Sequence, residues 1–401
     1  MKYRELLNLY KNGELTEEQK TKVREDIEKQ EAISEFLFEN DDIPELREAS
    51  FEAEFADDNS DFDEKKFQKM IKKSIRKAFI KLGVAVGVIV LALVLVANTA
   101  LPHIVDSMYY DPTKIVGRTE NGVETNRISL DTMVYSELFT PGFYRTNVFA
   151  NSEGYGDYDI QILQNFSENG QFTDVYGTIQ KDKMIIYTDN AFKHPTQNAF
   201  VPEEIPNLSG HVGTGAAGTV ENSFKKLNDL DENDYYLTYV TLDKVMTYDE
   251  LVQWSKKTGI VPAWCALCTK LSEGSYDYSA QNIIGFNFLR SCGEMAYNND
   301  KYPYLNYFDM LSTTEDFSED NFSKEVMTKH VLSLLRYSLD NPEFREIAGC
   351  IVNDMELNNL MENIEEYGLN IYGFAVVAQK DQILEISKTE NVKYIYTTPQ
   401  I

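Results

Sequence analysis

At 401 residues the chain is too long for one compact core, so two or three domains are expected. Hydrophobic residues at 43% and charged residues at 26% exclude a disordered polymer. A net charge of −27 excludes a general nucleic-acid-coating surface, four Cys exclude a disulfide-rich scaffold, and four His leave little room for a His-rich metal site.

Tyr3, Leu6, Leu7 and Tyr10 recur at helical spacing and predict a short amphipathic helix over residues 2–11. Asn12 and Gly13 end it, because Gly adopts the left-handed C-cap conformation at little cost. Thr16 followed by Gln19 is a capping box that starts a second helix, expected to run to about Glu39 with Leu15 at its approach and Val23, Ile27, Ile33, Phe36 and Leu37 on its buried side. Pro44 marks a break. Residues 40–64 then hold eleven acids and one base, Arg47, with Phe51, Phe55 and Phe62 set among them. Residues 1–64 are thus expected to form a small all-α module.

Residues 65–81 carry eight basic side chains and no acid, and read as a juxtamembrane helix. From Leu82 to Leu101 there are 20 residues without a charge. As a helix they span about 30 Å, the thickness of a bilayer's hydrocarbon core. A core helix seldom goes so long without polar punctuation, and a signal peptide would not follow 81 residues of highly charged chain. The basic flank predicts that residues 1–81 stay in the cytoplasm and that residues 102–401 lie outside the cell. Gly83 and Gly87 form a G-x-x-x-G within the span and are candidates for helix pairing, in a homodimer or with a second membrane protein.

The outer part reads as α+β with an antiparallel sheet, divided into a β-rich region at 102–234 and an α+β domain at 235–401. Over residues 128–188 aromatic and β-branched residues alternate with polar ones, which predicts strands without helices; candidates are 143–152, 158–166, 172–180 and 183–188. Residues 195–235, rich in Asn, Pro, Gly and Asp, read as a boundary or long loop. Helices are predicted at 247–255, 323–341, 355–368 and 380–389, packed on one face of a sheet.

Gly213, Gly215 and Gly218 match G-x-G-x-x-G, but Pro202 and Pro206 upstream argue against the strand that a dinucleotide site needs, so a turning loop is expected. Cys265 and Cys268 form a C-x-x-C without a second pair, placed in an apparent strand rather than at a helix start. With Cys292 and Cys350 they allow three disulfide pairings, and buried free thiols are the alternative. No metal, cofactor or catalytic constellation is indicated; His103 sits at the membrane edge, His330 falls in the long predicted helix, and His194 and His211 lie in loop-like sequence.

Residues 5–37, with the LL-x-x-Y helix, the Asn-Gly-Glu-Leu turn and the Thr-Glu-Glu start, resemble the N-terminal module of bacterial membrane-bound anti-sigma factors. Residues 235–401 resemble the sigma factor regulator C-terminal domain of low-GC Gram-positive bacteria, on a strand–helix–strand pattern repeated from Tyr235 and from Ile371. YDPTK at 110–114 resembles that family's N-terminal outer region. Where many anti-sigma modules hold zinc, this chain has Asp26 or a neighbour, Gln30 and Ile33, which implies a zinc-free module. The resemblance implies a regulator rather than an enzyme: a single-pass protein that sequesters an extracytoplasmic-function sigma factor, touches no nucleic acid directly, and answers an envelope signal through its outer domain. Release by proteolysis and release by rearranged helix pairing are both open. Leu6, Leu7, Tyr10, Leu15, Val23, Ile27, Phe51, Phe55, Asp57 and Asp58 are the candidate partner-binding residues. The rival readings are a membrane-anchored hydrolase, and an envelope assembly or division protein whose acidic tail recruits a partner.

Overall fold

A computed structural model describes residues 64–166, 172–187, 194–195, 199–200, 205–211, 220–279, 282–288, 294–306, 310 and 322–398, together with separate positions between 16 and 29. The chain divides into two compact units, residues 1–87 and 88–401.

In the first unit, the expected cap is present: the Thr16 backbone N–H and hydroxyl both donate to Gln19 Oε1 (3.3 and 3.1 Å), and Lys20 N–H donates to the Thr16 carbonyl. Val23 follows in helical conformation and is buried.

Helix α1 runs from Glu64 to Asp106, joining the basic flank and the apolar run in one element. By length and composition it can cross a membrane, with a best-window mean hydropathy of 2.8. None of that window is buried within the chain, which removes the core-helix reading. Leu82, Val84, Leu91 and Leu93 are all more than half exposed. Pro102 lies near its end, where it has no N–H to donate to a helical carbonyl.

Past α1, a two-stranded ribbon pairs β1 (Ile115–Arg118) with β2 (Glu124–Asn126). Helix α2 follows, Arg127–Phe139, capped by the Asn126 side chain accepting from Ser129 N–H. This corrects the expectation of strands without helices between 128 and 188. Nearly every side chain of α2 from Ile128 onward is buried, polar ones included, so the helix shows no solvated face in its sequence.

The predicted strands are then found in order: β3 (Phe143–Gly154), β4 (Asp157–Phe166), β5 (Phe172–Gln180) and β6 (Lys183–Ile186), an antiparallel meander. Val148, Ile160, Ile162, Val175 and Ile179 turn into the core from this sheet.

The region 195–235 is not simply a loop. It contains β7 (Leu208–His211), which pairs in parallel with β11 (Ser275–Ser279), itself antiparallel to β10 (Thr269–Ser272). A short helix α3 (Val220–Lys226) follows. The expectation that no strand precedes the glycine run is therefore corrected; Gly213, Gly215 and Gly218 lie outside the described residues.

The second sheet has five strands in the order β12-β9-β13-β8-β14, all antiparallel. They are β8 (Tyr235–Thr247), β9 (Trp264–Leu267), β12 (Gly285–Asn287), β13 (Asn370–Gln379) and β14 (Val392–Thr397). Helix α4 (Tyr248–Thr258) joins β8 to β9, and α8 (Lys380–Ser387) joins β13 to β14. Both predicted strand–helix–strand copies are present, and they interlock. β9 lies beside β13 and β14 beside β8, so each copy's second strand pairs with the other copy's first. This is the split β-α-β, or ferredoxin-like, connectivity with β12 added at one edge.

Helices α5 (Lys324–Asp340), α6 (Glu343–Ile347) and α7 (Asp354–Tyr367) lie between the copies in sequence. The apolar residues of the helices gather in the core on one face of this sheet, as expected, and the core on the other face is built without them. Val240, Phe286, Phe374 and Ile395 join a core shared with the helices, whereas Leu237, Tyr239, Trp264, Tyr372 and Ala375 join a second core with Phe200, Ile205, Leu208 and Tyr278. The sheet is covered on both faces, and all but the last position of β13 is buried.

Candidate functional site

Of the sequence-selected partner-binding residues, only Val23 lies among the described ones; Leu6, Leu7, Tyr10, Leu15, Ile27, Phe51, Phe55, Asp57 and Asp58 lie outside them. Gly83 and Gly87 stand on exposed helix, where a Cβ added to either would meet nothing within 4 Å.

The C-x-x-C separates across the sheet. Side chains of a strand alternate faces, so positions three apart point opposite ways. Cys265 joins the helix-side core and Cys268 the aromatic core on the other face. Both are free thiols, as is the half-buried Cys350; Cys292 lies outside the described residues. Burial pushes the Cys268 thiol well up from its ordinary range, the opposite of what a reactive thiolate needs. Among the described residues no three His, Cys, Asp or Glu side chains gather as a metal-binding group.

Two buried polar networks organise the second unit around α2. The first begins four residues after α1 ends. The Tyr110 hydroxyl donates to Asp131 Oδ2 and the Tyr337 hydroxyl to Asp131 Oδ1, each at 2.7 Å. Arg127 reaches the same carboxylate at 3.5 Å, meets Glu343 at 2.8 Å, and lies over the Tyr110 ring at 4.7 Å. Asp131 is 3% exposed. Burial raises its pKa to about 6, against the pull of both tyrosine hydroxyls and Arg127. The network ties the residue that follows the apolar helix to α2, α5 and α6. An open cleft of about 1040 Å³ lies over it, lined by Met108, Tyr109, Lys114, Arg127, Asp182 and Glu343 among others.

The second network is deeper. His330 Nε2 lies 2.9 Å from Glu137 Oε1, and His330 Nδ1 lies 2.6 Å from the Tyr304 carbonyl. Asn287 N–H donates to Glu137 Oε1, and Trp264 Nε1–H donates to the Glu137 carbonyl at 2.7 Å. A ring nitrogen facing a backbone carbonyl must carry a proton, which fixes the Nδ1–H and orients the ring. The carboxylate–imidazole pair is 5% and 1% exposed. It pins α2 to α5, β9 and β12 rather than facing an opening.

Sequence reading missed both networks because it missed α2. One signal was present: Leu130, Val134 and Leu138 are spaced by four, after an Asn that can cap.

Residues 227–396 match the family described as sigma factor regulator C-terminal. That span opens just before β8 and closes within β14, so it contains the whole interlocked sheet and the helices between its copies. No curated protein and no solved structure matches the chain. The match is to that C-terminal domain over residues 227–396, about two fifths of the chain, and it supports a place among the sigma factor regulators.

Proposed function

We propose that the protein is a membrane-anchored anti-sigma factor, and that its partner is a sigma factor of the extracytoplasmic-function class. Residues 1–64 sequester that sigma factor in the cytoplasm, α1 crosses the bilayer, and residues 102–401 face outward and receive an envelope signal. The sigma factor regulator C-terminal match is the observation that carries the reading. The exposed apolar helix with its basic leading flank supports the anchoring and the orientation. A sigma factor is basic where it meets promoter DNA. The acidic stretch 40–64 is suited to that surface, its charge speeding encounter and its Phe side chains supplying buried area. The chain acts as a regulator and not as an enzyme. Gly83 and Gly87, open on the helix surface, are the pairing face through which a second copy or another membrane protein joins.

The test is direct. A fragment of residues 1–64 should co-purify with the sigma factor and silence its promoters without the membrane part. Leu6→Asp with Leu7→Asp should abolish capture, because an unpaired carboxylate on a buried apolar stripe is strongly unfavourable. Circular dichroism must show that the variant keeps its helices. If the fragment captures no sigma factor, and deletion of residues 2–64 leaves transcription unchanged, the reading is wrong.

A further inference from the structure

The turn between β3 and β4 reaches the apolar helix of its own chain. Gly154, Tyr155 and Gly156 form that turn with φ of 85°, 61° and 82°. Glycine takes such values readily, but an aromatic residue rarely does. Asn or Asp would occupy the middle position at lower cost, so the backbone does not explain a tyrosine there.

The ring's surroundings do. The Tyr155 hydroxyl donates to the backbone carbonyl of Ala97. Ala97 lies four residues before the end of the uncharged run at Leu101, about 6 Å along the helix axis. The backbone of the turn sits higher, beside the end of α1. A Cβ on Gly154 would lie 3.3 Å from Pro102, and Gly156 N–H donates to Asp106 Oδ1 at 2.6 Å. The Tyr155 side chain therefore runs along the helix from the level of Pro102 and Asp106 to inside the apolar run.

Both glycines of the turn also bond within the chain. Gly156 accepts from Lys181 N–H at 2.7 Å, and Gly154 N–H donates to Ser152 Oγ at 3.1 Å. A hydroxyl that enters hydrocarbon needs a protein partner, and the Ala97 carbonyl is one. Around this anchor large side chains face outward, with Tyr155 40% exposed, Tyr109 36% and Met108 72%, and the Lys181 ammonium lies 5.9 Å from the centre of the Tyr109 ring, a cation at headgroup level beside the aromatic pair. A Cβ on Gly156 would meet the Tyr109 ring at 2.9 Å, so glycine there lets Tyr109 close against the turn.

Given the membrane anchoring proposed above, we propose that the β3–β4 turn is a membrane-interface foot: Tyr155, with Tyr109 and Met108, seats in the outer leaflet beside α1, and clamps the outer domain to that helix at a fixed height. The occupant of this surface is the boundary between lipid headgroups and acyl chains, where the amphipathic rings of Tyr and Trp are enriched. A charged residue in place of Tyr155 would lift the foot and free the domain to swivel about the segment 107–110.

The experiment uses the full chain in lipid nanodiscs. Tyr155→Trp adds one fluorophore to Trp254 and Trp264, which are both buried. Lipids brominated near the headgroup end of the acyl chain should quench about half or more of the added emission, as for an interfacial aromatic. Phe149→Trp, on the same strand about 17 Å before Gly154, should remain unquenched. A photoreactive lipid, applied to the unsubstituted chain, should label the peptide containing Tyr155. Carbonate extraction is run in parallel. A chain that stays in the membrane, with the added indole of the Tyr155→Trp variant unquenched and no labelled Tyr155 peptide, overturns the foot and leaves the anchoring intact. A chain released by carbonate overturns both.

Discussion

Asp131 shows how one side chain reports on its surroundings. Its carboxyl accepts two tyrosine hydroxyls in a site that water hardly reaches. Its pKa in the fold is about 6, against an ordinary value of 3.8. Because the folded value lies above the unfolded one, the contribution favours the fold at low pH and is lost as pH rises through that window. The difference corresponds to about 3 kcal/mol. Asp131→Asn removes this titration. Melting both proteins between pH 4 and pH 7 should show the natural protein gaining stability over the variant on acidification, with the gap closing above about pH 6. Parallel pH profiles would mean that Asp131 does not titrate as its burial dictates. The cysteines teach a related lesson. Their spacing suggested a pair, yet in a strand three residues carry a side chain to the opposite face, and only the recognition of β9 as a strand separates Cys265 from Cys268.

Helices with one wet face were legible in the sequence, and the helix with none was not. The meander strands alternate polar with apolar residues and were placed within a few positions. The helices α4, α5, α7 and α8 carry apolar stripes and capping residues, and were placed as well. By contrast α2 is buried nearly all round, so its amphipathic period is weak and its β-branched and aromatic residues imitate a strand. With α2 went Arg127, Asp131 and Glu137, the polar centres of the second unit. The caps also predict energetics. Thr247 ends β8 and caps α4, trading hydrogen bonds with Glu250 in both directions. Thr247→Ala should destabilise the second unit by about 1 kcal/mol. Denaturant titration should then show a lower midpoint at unchanged slope. An unchanged midpoint would mean that tertiary packing alone sets the start of α4.

At the scale of the molecule, charge is distributed by segment: an acidic stretch at 40–64, a basic flank at 65–81, then an uncharged span. Such a distribution predicts kinetics. Replacing Asp57, Asp58, Asp61 and Asp63 with Asn should slow association with the sigma factor and flatten its salt dependence, while leaving dissociation nearly unchanged. Stopped-flow mixing at low and high salt separates these effects. A variant that instead dissociates faster, with association unaltered, would show that those carboxylates are buried contacts and not steering charges.

The exchange of strands between the two halves of the five-stranded sheet sets a schedule for folding. β8 at residue 235 has for neighbours β13, which begins at residue 370, and β14, which ends at residue 397. Neither half completes the five-stranded sheet by itself, so the core closes only once β14 is available, and such distant pairings are slow to form. A nick or truncation that removes only the final strand would bare one whole edge of β8, together with the apolar surfaces on both sides of it. Strand β14 thus acts as a completeness check: a chain cut just before Val392 would offer an unfinished, aggregation-prone sheet in place of a weakened regulator.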